Sequence, residues 1–171
     1  MVYSIVKFGD PVLERETEEI TEFDTPELHK FLEDMFESMY AAKGVGLAAP
    51  QIGFARKIAV IDTSNAENPG EKLVLINPQI LRVEGKQQGE EGCLSIPGFR
   101  EQVRRGRRVT VRARDAKGVE FERTGEDLLA RAFLHETDHL YGRLYLAHIS
   151  VLKRDLMKRK IRKLQRAGEW D

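Results

Sequence analysis

Hydrophobic positions follow a helical spacing in some parts of the chain and a strand-like spacing in others. Residues 25–42 carry apolar side chains three and four positions apart, which is the spacing of one face of an α-helix. Thr25 and Pro26 open this run, and both residue types commonly begin helices. The apolar positions are Leu28, Phe31, Leu32, Met35, Phe36 and Met39. We therefore predict an amphipathic helix with His29 exposed on its polar side.

The middle of the chain has a different pattern. Residues 56–63, 72–81 and 107–125, together with the segment around Val83, are short and rich in β-branched residues. They are bounded by Gly, Asn, Pro and Asp, which favour turns. These features predict antiparallel sheets with hairpins such as the one at residues 115–120.

Helical spacing returns in the last third of the chain. Residues 125–142 place Leu128, Leu129, Ala132, Phe133 and Leu140 on one side, and Gly142 stands near the predicted end. Residues 151–166 predict a further helix whose apolar stripe is formed by Leu152, Leu156, Ile161 and Leu164. The expected fold is α+β, with antiparallel sheets around a central helix and with an N-terminal and a C-terminal helix. We expect a single catalytic domain over residues 1–171, in which 151–171 form a basic C-terminal helix and tail.

Composition narrows the class of protein. A chain of 171 residues is long enough to bury its own core, and its 33% charged and 41% hydrophobic residues are typical of a soluble globular protein. The apolar runs are too short to span a bilayer, and the N-terminal segment lacks the features of a signal or transit peptide, so we predict a cytoplasmic location without a membrane partner. Basic and acidic residues balance at 28 each, so net charge indicates no DNA partner.

The segment "FLHETDHLYGRLY", residues 133–145, predicts a metal site. His135 and His139 are four residues apart, so on a helix both imidazoles can converge on one ion, while Glu136 points to the side. The pattern fits the His-Glu-x-x-His signature of metallopeptidases, in which the Glu is the general base. Two histidines hydrogen-bonded near a core remain the structural alternative. A catalytic site also needs a third ligand.

The residues after His139 do not supply that ligand convincingly. Tyr145 occupies the position where a metzincin has its third histidine. The acids in this region are few and distant, namely Asp155, Glu169 and Asp171. His148 is closer, but its neighbours resemble a buried strand beyond the helix end, so it is the weaker candidate.

Cys93 is the stronger candidate for the third ligand. It is the only cysteine, so it cannot form an intramolecular disulfide, and a thiolate is a strong metal ligand. Its segment "GEEGCLSIPG", residues 89–98, is predicted to be a glycine-flanked turn preceded by two acids. Such a turn suits close approach of the backbone to an ion better than burial of a core cysteine.

The segment "KGVGLAAPQIG", residues 43–53, is predicted to approach a substrate closely. Its small residues expose the backbone, and the Gln51 amide can donate a hydrogen bond to a developing oxyanion. Phosphate binding is disfavoured because no Gly-Lys-Ser/Thr follows. An ordinary tight turn is the remaining alternative.

Three motifs in this order resemble the peptide deformylase family. They are "GVGLAAPQ" at 44–51, "EGCLS" at 91–95 and "HETDH" at 135–139. The opening "VKFGDPVLE" is also similar to the family's N-terminal segment, so the resemblance covers roughly residues 2–150. It implies removal of the formyl group from the N-terminal formylmethionine of new polypeptides.

The resemblance also implies roles for individual residues. Cys93, His135 and His139 would hold one divalent metal ion, which is Fe²⁺ in native family members and is replaceable by Zn²⁺, Ni²⁺ or Co²⁺. Glu136 would carry the proton, and Gln51 with the backbone N–H of Leu94 would bind the oxyanion. The methionine pocket would be formed by Val45, Gly46, Leu128 and Ala132. Bacterial members resemble this chain in having a C-terminal helix that docks on the ribosome, and residues 151–166 contain eight Lys or Arg against one acid.

Some positions depart from the family's pattern. Leu134 stands where Gln is common, Ala147 and His148 replace an Asp-Arg pair, and Arg131 is expected to alter the rim of the pocket. The alternatives to a deformylase are a His-Glu-x-x-His metallopeptidase with another third ligand and a ribosome- or RNA-binding module with a structural metal.

Overall fold

The computed structural model describes residues 1–170, so Asp171 lies outside the described part of the chain. The helices are α1 (Pro26–Ala41), α2 (Leu128–Leu140) and α3 (Val151–Arg166). The strands are β1 (Gly46–Ala48), β2 (Ile58–Ile61), β3 (Leu73–Glu84), β4 (Gln87–Cys93), β5 (Ile96–Arg105), β6 (Arg108–Arg114) and β7 (Glu120–Glu126). The α+β class is confirmed. No helix within residues 1–170 is both long and apolar enough to cross a membrane.

The strands form two antiparallel sheets. The larger sheet has the order β1-β2-β3-β6-β7, and β4 pairs with β5 in a separate two-stranded sheet. All four residues of β2 are buried because helices cover both faces of the sheet there. Ile58 and Val60 pack with α1 on one face, and Ala59 and Ile61 pack with α2 on the other. Helix α2 is thus the central helix of the fold.

The helix boundaries follow from local chemistry. Thr25 Oγ1 accepts a hydrogen bond of 3.1 Å from Leu28 N and begins α1, and Ser150 Oγ accepts one of 3.2 Å from Lys153 N and begins α3. Gly142 follows α2 in the left-handed region at φ 72°. A β-carbon at this position would lie 2.8 Å from Glu14 O, so only glycine fits the turn.

Strands β4 and β5 correct the prediction of a turn over residues 89–98. The chain continues as a strand up to Cys93, reverses through Leu94 and Ser95, and re-enters a strand at Ile96. Segment 87–93 is rich in Gly, Gln and Glu, which have low strand propensity. Pairing with β5 supplies the hydrogen bonds that its own composition does not favour.

Two predictions at the C-terminal end are also wrong. Residues 145–148 form a short 3₁₀ helix and not a strand. In α3 the side chains of Leu152 and Leu156 are exposed, and the buried positions are Met157 and Ile161. Ile161 and Leu164 of the predicted stripe do pack in the third core cluster, together with Met157, so only Leu152 and Leu156 were misplaced.

Candidate metal centre and active site

Three predicted ligands converge although they come from two separate elements. Cys93 ends β4, while His135 and His139 lie on α2, and their donor atoms are all within 4.8 Å of one another. Cys93 Sγ is 3.4 Å from His139 Nε2, which is 3.2 Å from His135 Nε2. A tetrahedral ion with ordinary bond lengths separates such atoms by about 3.6 Å and about 3.3 Å. The donor set therefore fits one metal ion.

The protonation of the two imidazoles suits metal binding. His135 Nδ1 lies 2.7 Å from Glu91 Oε2, and because a carboxylate only accepts, Nδ1 carries a proton and Nε2 is the nitrogen that faces the other ligands. His139 is fully buried in the last turn of α2. Burial lowers the pKa of His139 well below its usual value, which keeps this ring neutral.

Glu91 connects the metal site to two buried arginines. Its carboxylate receives hydrogen bonds from Arg105 Nε at 3.0 Å and Arg105 Nη2 at 2.6 Å, and from Arg131 Nη1 at 2.8 Å. Burial alone would raise the pKa of Glu91, but the hydrogen bonds from His135 and Arg105 hold it well below its usual value. Arg105 also donates to Asp138 Oδ2 at 2.9 Å.

Arg131 lines the cleft, but as part of its buried wall and not of the exposed rim that the sequence suggested. Its side chain is only 10% exposed and points into the Glu91 network. Residues Arg105 and Asp138 were also missed as parts of the site. The context of Arg105 resembles ordinary surface charge, whereas Glu91 and Asp138 could have been recognised because they lie in the "EGCLS" and "HETDH" motifs.

Glu136 stands beside the three ligands with its carboxylate in a confined place. It is buried, and within residues 1–170 its Oε1 has no hydrogen-bond partner. A β-carbon at position 46 would lie 2.5 Å from Glu136 Oε2, so Gly46 allows the carboxylate to rest against the backbone of β1. Burial raises the pKa of Glu136 to about 7. This carboxyl group can therefore both accept and return a proton near neutral pH.

Gln51 faces the site with its amide fixed at one end. Its Oε1 accepts a 3.0 Å hydrogen bond from Ala48 N, which turns Nε2 toward Cys93 Sγ at 3.6 Å and Ser95 Oγ at 3.3 Å. Leu94 lies in the turn between β4 and β5. Gln51 thus approaches Cys93 from a distant segment of the chain, and Leu94 follows Cys93 directly.

Backbone hydrogen bonds join the N-terminal segment to the Gln51 segment and to the β4–β5 turn. Val6 N donates to Gln51 O at 2.7 Å, and Phe8 N donates to Ser95 O at 2.8 Å. Residues 6–8 therefore connect the short 3₁₀ helix at Ala49–Ile52 to the β4–β5 turn.

A cleft of about 570 Å³ is lined by Cys93, His135 and Glu136, while His139 lies buried beneath it. All four predicted pocket residues line it, namely Val45, Gly46, Leu128 and Ala132. Leu128 is 50% exposed and lies at the mouth, so its predicted place on the packed side of α2 is wrong, while Ala132 is buried deeper in the cleft. The edge strand β1 forms one wall.

Comparison with known proteins agrees with this architecture. The family model described as "Polypeptide deformylase" matches residues 2–155. The chain belongs to the peptide deformylase family. A peptide deformylase of Acidobacterium capsulatum is 59% identical over 170 residues, covering 99% of each chain. A crystal structure of a peptide deformylase from Legionella pneumophila superimposes with a TM-score of 0.90 at 40% identity, covering 100% of this chain and 99% of that one.

A second solved deformylase, from Thermus thermophilus, gives a TM-score of 0.88 at 39% identity over 95% of both chains. Membership of the peptide deformylase family confirms the predicted activity, which is removal of the formyl group from N-terminal formylmethionine. It also favours this activity over the metallopeptidase and RNA-binding alternatives.

The two remaining histidines lie outside the ligand group. His29 is exposed, as predicted, and its Nε2 lies 2.7 Å from Asp24 Oδ1. His148 Nε2 lies 2.9 Å from Asp138 Oδ2, so this departure from the family's pattern contacts an acid that also binds Arg105.

Proposed function

We propose that Cys93, His135 and His139 hold the single metal ion of this deformylase, and that Glu136, Gln51 and the backbone N–H of Leu94 carry out the hydrolysis. One observation carries the assignment. The three donor atoms meet within 4.8 Å beside a buried carboxyl group whose pKa is raised to about 7. This arrangement brings together a metal site and a proton carrier.

The chemistry of each residue follows from its position. A divalent ion in such a site acts as a Lewis acid, which polarises the formyl carbonyl and favours ionisation of water near neutral pH. Glu136 accepts the proton of the water that attacks the formyl carbon. Gln51 Nε2 and Leu94 N–H donate to the oxygen on which negative charge develops. Glu136 then protonates the departing amine as the C–N bond breaks, and formate and a free N-terminus result.

We assign iron(II) as the native metal, with zinc, nickel or cobalt able to occupy the same site. One thiolate and two imidazoles are typical of sites for these metals, whereas magnesium and calcium prefer oxygen ligands. The choice of iron among them rests on the family resemblance.

The substrate is assigned to the cleft as an added strand. Edge strand β1 and residues 91–95 have backbone groups that suit pairing with an extended peptide. The methionine side chain is assigned to the pocket formed by Val45, Gly46, Leu128 and Ala132. Gly46 is suited to this place because it has no side chain. The space that a β-carbon would occupy is taken by the Glu136 carboxylate.

We further assign a ribosome contact to α3 and a cytoplasmic location to the protein. The helix carries its basic residues mostly on the exposed surface, and its apolar side chains Leu152 and Leu156 are exposed among them. Ribosomal RNA would be held by neutralisation of its phosphates, which releases counterions.

A test of the catalytic assignment compares the parent with Glu136→Gln on formylmethionyl and acetylmethionyl peptides. We expect the variant to retain one metal per chain by elemental analysis and to release formate about a hundredfold more slowly, because it cannot carry a proton. The parent should act poorly on the acetyl peptide, since a methyl group must fit where only hydrogen stood.

Glu37→Gln is the matched control, since Glu37 is an exposed acid that contacts the Met1 amino group far from the cleft. Formate release by Glu136→Gln within a few-fold of this control would remove Glu136 from the reaction.

A further inference from the structure

Arg131 is a buried cation that the proposed reaction does not use. It lies on α2 one turn before His135, and its guanidinium is enclosed between Glu91, the backbone of β5 and Gly89. Arg131 Nη2 donates to Val103 O at 3.2 Å and would lie 3.4 Å from a β-carbon at position 89. Burial of an arginine is costly unless its charge is paired, and here the charge is paired with the Glu91 carboxylate.

The hydrogen bonds of Glu91 show what Arg131 contributes. Oε2 accepts from His135 Nδ1 and Arg105 Nη2, and Oε1 accepts from Arg105 Nε and Arg131 Nη1. Four donors therefore fix the plane and the position of the carboxylate. Without Arg131 the carboxylate would be held less firmly, because Oε1 would keep Arg105 Nε as its one donor and Arg105 is shared with Asp138.

Arg131 also contributes a buried positive charge to this network. Glu91 and Asp138 contribute two negative charges, and Arg105 and Arg131 contribute two positive ones. Without Arg131 the two carboxylates would share Arg105 as their only guanidinium partner, and Glu91 would lose a charged donor in a buried place.

We propose that Arg131 is a positioning residue that locks Glu91 and thereby aims His135 Nε2 at the metal. The proposal rests on the assignment of Cys93, His135 and His139 as ligands. It predicts that Arg131 governs how tightly and in what geometry the metal is held, although Arg131 touches neither metal nor substrate-reacting atoms. Partners that orient a ligating histidine commonly change metal affinity by about 10- to 100-fold.

The test uses the full chain loaded with cobalt(II), whose visible spectrum reports ligand geometry. We expect Arg131→Met to release cobalt to a chelator about tenfold faster than the parent and to show an altered visible spectrum. Arg131→Lys keeps the charge but loses the planar fork, so its release rate should be intermediate. Arg104→Met is the matched control, because Arg104 is an exposed neighbour on β5 outside the network, and it should behave like the parent.

Parent-like release and spectra in Arg131→Met and Arg131→Lys would overturn the proposal. If the methionine variant does not fold, as judged by circular dichroism, the lysine variant decides alone by the same two readouts. Cys93→Ala separates the failures: full cobalt content in this variant would contradict the ligand assignment itself, whereas cobalt loss there with unchanged Arg131 variants would contradict only the role of Arg131.

Discussion

Helices α2 and α3 have similar amphipathic sequences but opposite relations to the rest of the molecule. In α2 even ionisable residues are buried, among them Arg131, Glu136 and His139. Arg131 is paired with Glu91. In α3 the buried residues are Met157 and Ile161, and most of its basic side chains face solvent. Burial of ionisable groups, and not their number, therefore distinguishes the helix that carries the chemistry.

The largest expected difference between the helices concerns metal. His139→Ala in α2 should abolish both bound metal and formate release, because a two-ligand site with water in place of the imidazole binds metal weakly. The counterpart in α3, Leu156→Ala, removes a side chain that is 44% exposed and should leave both unchanged. Elemental analysis and a formate assay on the same preparations compare the two variants. Full metal content in His139→Ala would contradict the assignment of His139 as a ligand.

The next contrast concerns stability. Phe133 is fully buried in α2, so Phe133→Ala should lower the free energy of unfolding of the metal-free protein by about 3–5 kcal/mol. Leu152→Ala in α3 removes a side chain that is 70% exposed and should change it by less than about 0.5 kcal/mol. Urea unfolding followed by circular dichroism compares the two. Equal destabilisation would mean that Leu152 is covered by another surface.

The smallest expected effect on catalysis comes from the basic surface of α3. Replacement of Arg159, Lys163 and Arg166 by Gln should leave cleavage of a short formyl peptide unchanged but weaken co-sedimentation with ribosomes. Each lost phosphate contact should also reduce the salt dependence of binding by about one unit of slope. Ribosome binding that is unchanged and insensitive to salt would return α3 to the role of ordinary surface.

Substitution tests the α3 surface better than removal of the helix. Met157 and Ile161 belong to the same core cluster as Ile96 and Val103 of β5. The β4–β5 hairpin also carries Cys93, so a chain truncated before α3 would lose packing that supports a metal ligand. Such a truncated chain is therefore not expected to have normal activity.

The helices and four of the strands could be predicted because their apolar spacing is strong and local. Strands β1, β4 and β5 could not, since β1 has only three residues and β4 has few apolar residues and depends on its partner for pairing. In α3 the sequence correctly indicated Ile161 and Leu164 as packed, but it also indicated the exposed Leu152 and Leu156 and missed Met157, which lies four residues before Ile161.

The candidate site was predictable where short motifs place several reactive residues together. The "HETDH" and "EGCLS" segments identify the ligand candidates, and their convergence requires only one helix and one strand end. Arg105 and Arg131 could not be found in this way. An arginine in a sequence looks the same whether it meets solvent or a buried carboxylate, and only the packing of β4 against α2 determines which.

The hydrogen bonds from Val6 and Phe8 make two backbone amides outside the cleft reporters of the active site. Their amide protons are held by Gln51 O and Ser95 O, so they exchange with solvent only when these carbonyls are freed. Any opening that separates the glutamine segment from the cysteine turn must break at least one of these bonds. Their exchange rates therefore give the free energy of local opening of the site, independently of whether the enzyme is turning over.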